Sequence, residues 1–295
     1  PAVKFTVEYP SEAPRAHPGF RHPAVMRALA VRIEELGFDA IAVSEHPAPS
    51  KKWREAGGHD TFDPVVALSF FAAATTSVRL MTNLMVLPFR NPYLAAKALT
   101  SLDIVSGGRL IAGVGAGYLP SEFATLGVHY EDRVRVFDDS VAALHRIWTD
   151  PDPRLHLDAP VQKPHPPLWF GGNSAATLRR VVRYGSGWCP IIAPESVTAS
   201  VRTAAIADLD TFARRVEKLC DLLTAADRDP AEVEIQTEAP QVDLGDAAAV
   251  TRLTDQVAAM ERAGATRIIV HVDAATPEAA ETYLTRFADH FGVGG

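Results

Sequence analysis

The sequence predicts an α/β protein folded as a single (β/α)8 TIM barrel, and three observations carry that reading. Short runs that are apolar almost throughout recur along the chain, separated by stretches of helical periodicity, as a parallel sheet covered on both faces requires. Six such runs occur, and adding the alternating run Lys4 to Glu8 and the run Ala40 to Val43 gives eight strands, the number at which βα units close on themselves. The 295 residues also suit one barrel of about 250 residues plus insertions.

Taken in order, Lys4 to Glu8 forms the first strand. A helix over Ala24 to Leu36 follows, with Val25, Leu29, Ile33 and Leu36 on one face and Gly37 placed to cap its end. Ala40 to Val43 is the second strand. Three later helices begin where a capping side chain precedes proline: Asp63 with Pro64, Asn91 with Pro92, and Thr276 with Pro277. The remaining strands are Val78 to Val86, Leu110 to Val114, Pro167 to Phe170, Trp188 to Ile192, Glu234 to Thr237 and Arg267 to Val272. Prolines 151, 153, 160, 164 and 166 forbid a continuous helix over Asp150 to Pro166, which reads as an excursion inserted between the fourth helix and the fifth strand. Ala193 to Ser200 reads as a second, shorter loop. No shift of composition marks a boundary, so residues 1–295 are taken as one domain.

An open doubly wound sheet is the rival fold. Its support is the run Gly113, Gly115, Gly117, which lacks the last glycine of GxGxxG and lies at the fourth strand instead of the first.

Hydrophobic residues at 47% and charged residues at 22% match soluble globular chains and argue against disordered or collagen-like classes. A formal charge of −7 argues against a nucleic-acid partner, which needs clustered lysine and arginine. No apolar run approaches the ~20 residues that cross a bilayer, so no membrane partner is expected. Cys189 and Cys220 lack CxxC spacing, which suggests neither a disulfide framework nor a zinc site and fits a reducing cytoplasm. The first residues show no charged segment leading into an apolar stretch, so no export signal is expected.

In a barrel of this kind, function belongs to the loops after the strands. Ser44, Glu45 and His46 follow the second strand, Asn83 to Pro88 ends the third, Gly115 to Tyr118 follows the fourth, and Gly171 to Ser174 follows the fifth. His46 is the acid/base candidate, because imidazole holds or releases a proton near neutrality. Glu45 points to the opposite side if the strand pleat persists, so the two need not pair. Gly171, Gly172, Asn173 and Ser174 precede an amphipathic helix bearing Leu178, Val181 and Val182. They read either as a phosphate cradle at a helix N-terminus or as a tight turn with Ser174 as N-cap. The glycines at 113, 115 and 117 read either as clearance for a flat ring or another backbone, or as a barrel corner. The other histidines show no HxxxH, HExxH or facial-triad spacing, so no metal site is expected, and no GxSxG elbow is present.

Three segments together resemble the luciferase-like monooxygenase superfamily, in its branch dependent on the deazaflavin coenzyme F420. They are LGFDAIAVSEH from Leu36 to His46, the stretch from Asp63 to Val128 containing LMTNLMVLPFRNP and LIAGVGAGYLPSEF, and PHPPLWFGGNSAATLRRVVRYGSGWCP from Pro164 to Pro190. The resemblance implies a barrel with the cofactor ring across its mouth, a catalytic role for His46, and a non-proline cis peptide at Asn83 to Leu84 supporting the ring. It also implies a cofactor-binding set of Glu45, His46, Asn83, Leu84, Gly115, Ala116, Gly117, Gly171, Gly172, Asn173 and Ser174. Trp53, His59 and Tyr118 are candidate substrate-side residues. Sugar-phosphate dehydrogenases of the superfamily carry glutamate where this chain has Ala116, which argues against that substrate.

The expected activity is hydride transfer between F420 and a small organic substrate. The alternatives are an FMN-dependent monooxygenase on the same barrel and a cofactor-binding protein without catalysis. Apolar helix faces bearing Phe70, Phe71 and Leu94 also suggest a homodimer, as is common in the superfamily.

Overall fold

Alternation along the first strand already sorts the barrel into an inside and an outside. In β1 (Lys4–Glu8) Phe5 turns outward onto the rings of Phe287 and Phe291, while Thr6 turns inward and its hydroxyl donates to Gln236 Oε1 at 2.9 Å. The same sorting holds through β2 (Ala40–Val43), β3 (Arg79–Val86), β4 (Leu110–Gly115), β5 (Leu168–Gly171), β6 (Gly187–Cys189), β7 (Glu234–Glu238) and β8 (Arg267–His271). Each strand pairs parallel with the next, and β8 pairs with β1 from Lys4↔Arg267 to Glu8↔His271, closing the barrel. The computed structural model describes residues 3–11, 16–59 and 61–295.

Eleven helices are present among the described residues: α1 (Pro23–Glu35), α2 (Lys51–Glu55), α3 (Pro64–Ala74), α4 (Pro92–Val105), α5 (Pro120–Thr125), α6 (Arg133–Thr149), α7 (Ala175–Tyr184), α8 (Glu195–Ser200), α9 (Leu209–Ala225), α10 (Ala247–Arg262) and α11 (Pro277–Phe291). None is long and apolar enough to cross a membrane. The three cap-and-proline starts form as expected, with Asp63, Asn91 and Thr276 side chains accepting from Val66, Tyr93 and Ala279 N–H groups.

Several expectations need correction. Ala193 to Ser200 is not all loop, since α8 begins after Pro194, whose carbonyl accepts from Val197 and Thr198. Strand six stops at Cys189 and not Ile192, because Pro190 has no N–H for the ladder and the Ile191 N–H goes to the Asn173 side chain. Phe71 is not on an exposed face; it is fully buried against Tyr9, whereas Leu94 is 67% exposed. The stretch Asp150 to Pro166 does lack helix and strand, and Gln162 fastens it by donating to Asp103 and to the Leu110 carbonyl.

Two cores result. The larger lies between strands and helices, and a smaller one fills the barrel with Ala40, Ala42, Met81, Ile111, Trp169 and Cys189. Large faces small across the interior. A Cβ at position 187 would lie 2.3 Å from Trp169, so only glycine lets the indole span the barrel. Below it the Arg267 guanidinium is wholly buried, paired with Asp39 and Glu234 and 5.2 Å from the Trp169 ring. Burial disfavours ionised Glu234, but Arg267 and Lys4 outweigh it and hold the carboxyl below its usual range.

Glu34, on α1, ties α1 to the turn before β3. Its carboxylate accepts N–H groups of Thr76, Ser77 and Val78 at 2.6 to 3.1 Å. Partial burial works against its charge, yet these donors win and lower its pKa from 4.5 to about 2. Because the folded pKa is depressed, this stabilisation is complete above the unfolded value and fades as pH falls from about 4.5 toward 2. Glu34→Gln is expected to cost about 1–2 kcal/mol at neutral pH, discounted for solvent exposure. Thermal melts should show the gap between the two proteins shrinking across that acid window; a constant gap would rule the carboxylate out.

Candidate active site

The strand ends open into one cavity of about 1410 Å³, walled by residues that follow all eight strands. At the end of β2 the pleat sends neighbours in different directions. Glu45 accepts the Val86 N–H at 2.6 Å and forms a two-armed ion pair with Arg90, which fixes the turn after β3. His46 faces the other way, with its Nδ1 3.2 Å from Glu122 Oε2 and its Nε2 3.3 Å from the Tyr118 hydroxyl.

The His46 and Glu122 side chains are only 8% and 3% exposed, so their contact is shielded from water. Glu122 Oε1 meanwhile accepts the Ala48 N–H at 3.1 Å. A carboxylate only accepts, so the Nδ1 proton sits on the Glu122 side and Nε2 keeps its lone pair toward Tyr118 and the cavity. Trp53 and His59 rings lie 4.7 and 4.8 Å from the imidazole and hold its plane. His59 and Tyr118 line the cavity, whereas Trp53 stands behind His46.

At the end of β3 the Asn83–Leu84 peptide is cis, and the β3 to β4 register shifts between Thr82 and Met85. Asn83 donates to Glu8 at 3.1 Å. Leu84 bears unequally on three glycines: a Cβ would lie 2.0 Å from its side chain at 171, 2.8 Å at 113, where the Thr82 carbonyl is nearer still at 2.2 Å, and at an ordinary 3.4 Å at 115. The space cleared on β4 and β5 is thus filled in part by Leu84, which presents an apolar face to the cavity. Gly117 has φ +78° against Phe123 and Val86, and Ala116 adds only a methyl group to the wall.

After β5 the backbone is less open than its glycines suggest. Gly172 N–H donates to Cys189 O, and Asn173 N–H donates to Thr203 Oγ1 at 2.7 Å. The fully buried Asn173 amide also donates to the Ile191 and Ala204 carbonyls and accepts the Ile191 N–H. Asn173 therefore holds the loop together and does not line the cavity. What remains for an anion is the Ser174 hydroxyl, which also caps α7, with the first-turn N–H groups of that helix.

Glu122 was invisible to sequence reasoning, as were Glu8, Glu238 and His271 on the β1, β7 and β8 side of the cavity. An acid on a short helix looks solvated until the fold carries it to a histidine 76 residues away. Cys189 also reaches the wall, but burial pushes its thiol up to about 12, so it stays neutral. Among the described residues no three histidine, cysteine or acidic side chains are grouped to hold a metal.

Residues 5–285 match the family model described as Luciferase-like monooxygenase. The chain belongs to the luciferase-like monooxygenase family. Within that family it is similar to a 4-hydroxyprotoasukamycin monooxygenase of Streptomyces nodosus subsp. asukaensis, 31% identical over 42% of this chain and 32% of that one. An F420-dependent glucose-6-phosphate dehydrogenase of Intrasporangium calvum is 35% identical over 41% of this chain and 36% of its own. An FMNH(2)-dependent dimethylsulfone monooxygenase of Pseudomonas putida is 29% identical over 51% and 44%. The chain thus spans about a third to under half the length of these curated relatives. Among solved structures, a monooxygenase of Streptomyces bottropensis superposes with a TM-score of 0.76 at 24% identity over 98% of both chains. An F420-dependent secondary alcohol dehydrogenase gives 0.72 at 15% over 99% of both. These two likenesses concern the fold. The luciferase-like family thus includes both F420-dependent dehydrogenases and FMN-dependent monooxygenases among the relatives of this chain.

The imidazole geometry is open to direct measurement. In nitrogen NMR spectra His46 should carry its neutral proton on Nδ1, and Glu122→Ala should shift population to the Nε2–H form. An unchanged tautomer in that variant would mean that Glu122 does not orient the ring.

Proposed function

We propose that this chain transfers hydride between the deazaflavin coenzyme F420 and a small organic substrate, with His46 managing the accompanying proton. The observation that carries the proposal is the Tyr118–His46–Glu122 series on the cavity wall, an imidazole with Nδ1 anchored on Glu122 and Nε2 directed to the Tyr118 hydroxyl.

The residues present fit a flat tricyclic cofactor with an anionic tail. Leu84 offers an apolar face, and Ser174 with the first turn of α7 offers donors to a phosphate. Ser44 Oγ, buried at the end of β2 without a partner, would be available to a polar group of such a cofactor. When bound, the deazaflavin supplies a two-electron hydride acceptor or donor. Nε2 of His46 takes the proton released from a substrate hydroxyl, and Glu122 stabilises the imidazolium that results. Trp53 and His59 keep the ring in place during that transfer. The homologous F420-dependent glucose-6-phosphate dehydrogenases support this cofactor, while Ala116 argues against their substrate.

The FMN-dependent monooxygenase reading draws support from the similarity to an FMNH(2)-dependent dimethylsulfone monooxygenase. A binding protein without catalysis predicts a blocked cavity, which a volume of about 1410 Å³ opposes. The proposal also includes a cytoplasmic, single-domain enzyme that pairs into a homodimer through the α3 and α4 faces bearing Phe70 and Leu94.

Fluorescence titration with F420 and absorbance titration with FMN separates the first two readings: the proposal expects tight F420 binding, and FMN binding alone would overturn it. With the preferred cofactor, His46→Ala is expected to lower turnover by ~10²-fold or more while cofactor affinity changes less than about twofold.

A further inference from the structure

Arginines line the cavity on one side. Arg133, Arg180 and Arg202 reach it from α6, from α7 and from the turn that ends α8. Arg180 is neutralised by Asp138 at 2.6 Å and lies against Phe137. Arg133 and Arg202 have no carboxylate partner among the described residues, although the chain carries a net charge of −7. Arg133 instead lies over the Tyr130 ring at 3.9 Å and donates to the Tyr130 carbonyl. The acid of that sector, Asp208, is occupied in capping α9.

Arg202 is also held in an uncommon way. Its φ of +57° is in the left-handed region that favours glycine. The residues after it are pinned from below, because Thr203 Oγ1 takes the Asn173 N–H and the Ala204 carbonyl takes the Asn173 side-chain amide. The arginine is thereby fixed to the loop that offers Ser174. In barrel order the β5 loop lies between the segments that follow β4 and β6, so Arg133 and Arg202 flank it on either side.

We infer that Arg133 and Arg202 form a second anion subsite beside Ser174, which takes carboxylates that follow a phosphate in the tail of one ligand. Resting on the deazaflavin reading above, this assigns the oligoglutamyl tail of F420 to the two arginines. A ligand that ends in a single phosphate leaves them unused. Each arginine gains a charge-assisted contact to carboxylate, and because Arg202 is exposed and Arg133 half-buried, that gain is sensitive to salt, at Arg202 most of all.

Binding to the full-length chain tests the assignment by fluorescence titration, with FMN, the phosphate-free deazaflavin riboside, F420 without glutamates and F420 with several glutamates as probes. At low ionic strength the glutamylated form should bind on the order of 10-fold more tightly than the form without glutamates, an advantage that shrinks at roughly 0.5 M salt. Arg133→Ala and Arg202→Ala should each remove about threefold or more of that advantage and leave riboside binding unchanged. Arg202→Gly, which suits the left-handed backbone, should behave like the alanine variant, and Arg202→Lys should restore part of the loss. Equal affinity for the two F420 forms, or equal weakening of riboside and tailed forms, overturns the subsite and leaves the deazaflavin reading standing. Binding of FMN alone overturns both.

Discussion

Closure of β8 onto β1 is the constraint from which the mouth of this molecule follows. Once Lys4 to Glu8 lies in register with Arg267 to His271, the pleat decides which residue of every strand turns inward last. Glu8, Asn83, Gly115, Gly171, Cys189, Glu238 and His271 reach the rim by that rule alone. A slip of one residue in any strand would send its rim residue outward under the helices and replace it with an apolar neighbour. Register, more than any single contact, is what assembles the cavity.

The rim then divides by charge. The β4 to β6 side carries the arginines and the N-terminus of α7, while the β1, β7 and β8 side carries Glu8, Glu238 and Asp273. His46 belongs to neither side. Its companions are aromatic, and the carboxylate behind it is matched to one ring nitrogen. That carboxylate is little screened by solvent, so its contact with Nδ1 is stronger than the same contact would be in water.

How much of this was legible depends on the range of the interaction. Cap-and-proline starts at Asp63, Asn91 and Thr276 are local chemistry, and they read correctly from adjacent residues. Strands such as β2 and β4 were equally plain, because burial on both faces removes polar residues from them, while β1 and β7 keep Thr6 and Gln236 to pair inside the barrel. Distant partners were not legible. The glycines at 113, 115 and 117 suggested clearance for a flat ring or another backbone, and at 113 the Thr82 carbonyl and the Leu84 side chain of β3 take up that clearance. Asn173 looked like part of an anion cradle, but its buried amide is spent on Ile191 and Ala204. In both cases the residue type was informative and its target lay in another strand or loop.

The floor of the barrel has a kinetic meaning. Arg267, Trp169, Met81 and Gln236 are each at most 1% exposed and stopper the N-terminal end. Traffic has one doorway, so whatever seats deepest must arrive first and depart last. Two molecules stacked in such a cavity would leave in the reverse of the order in which they entered.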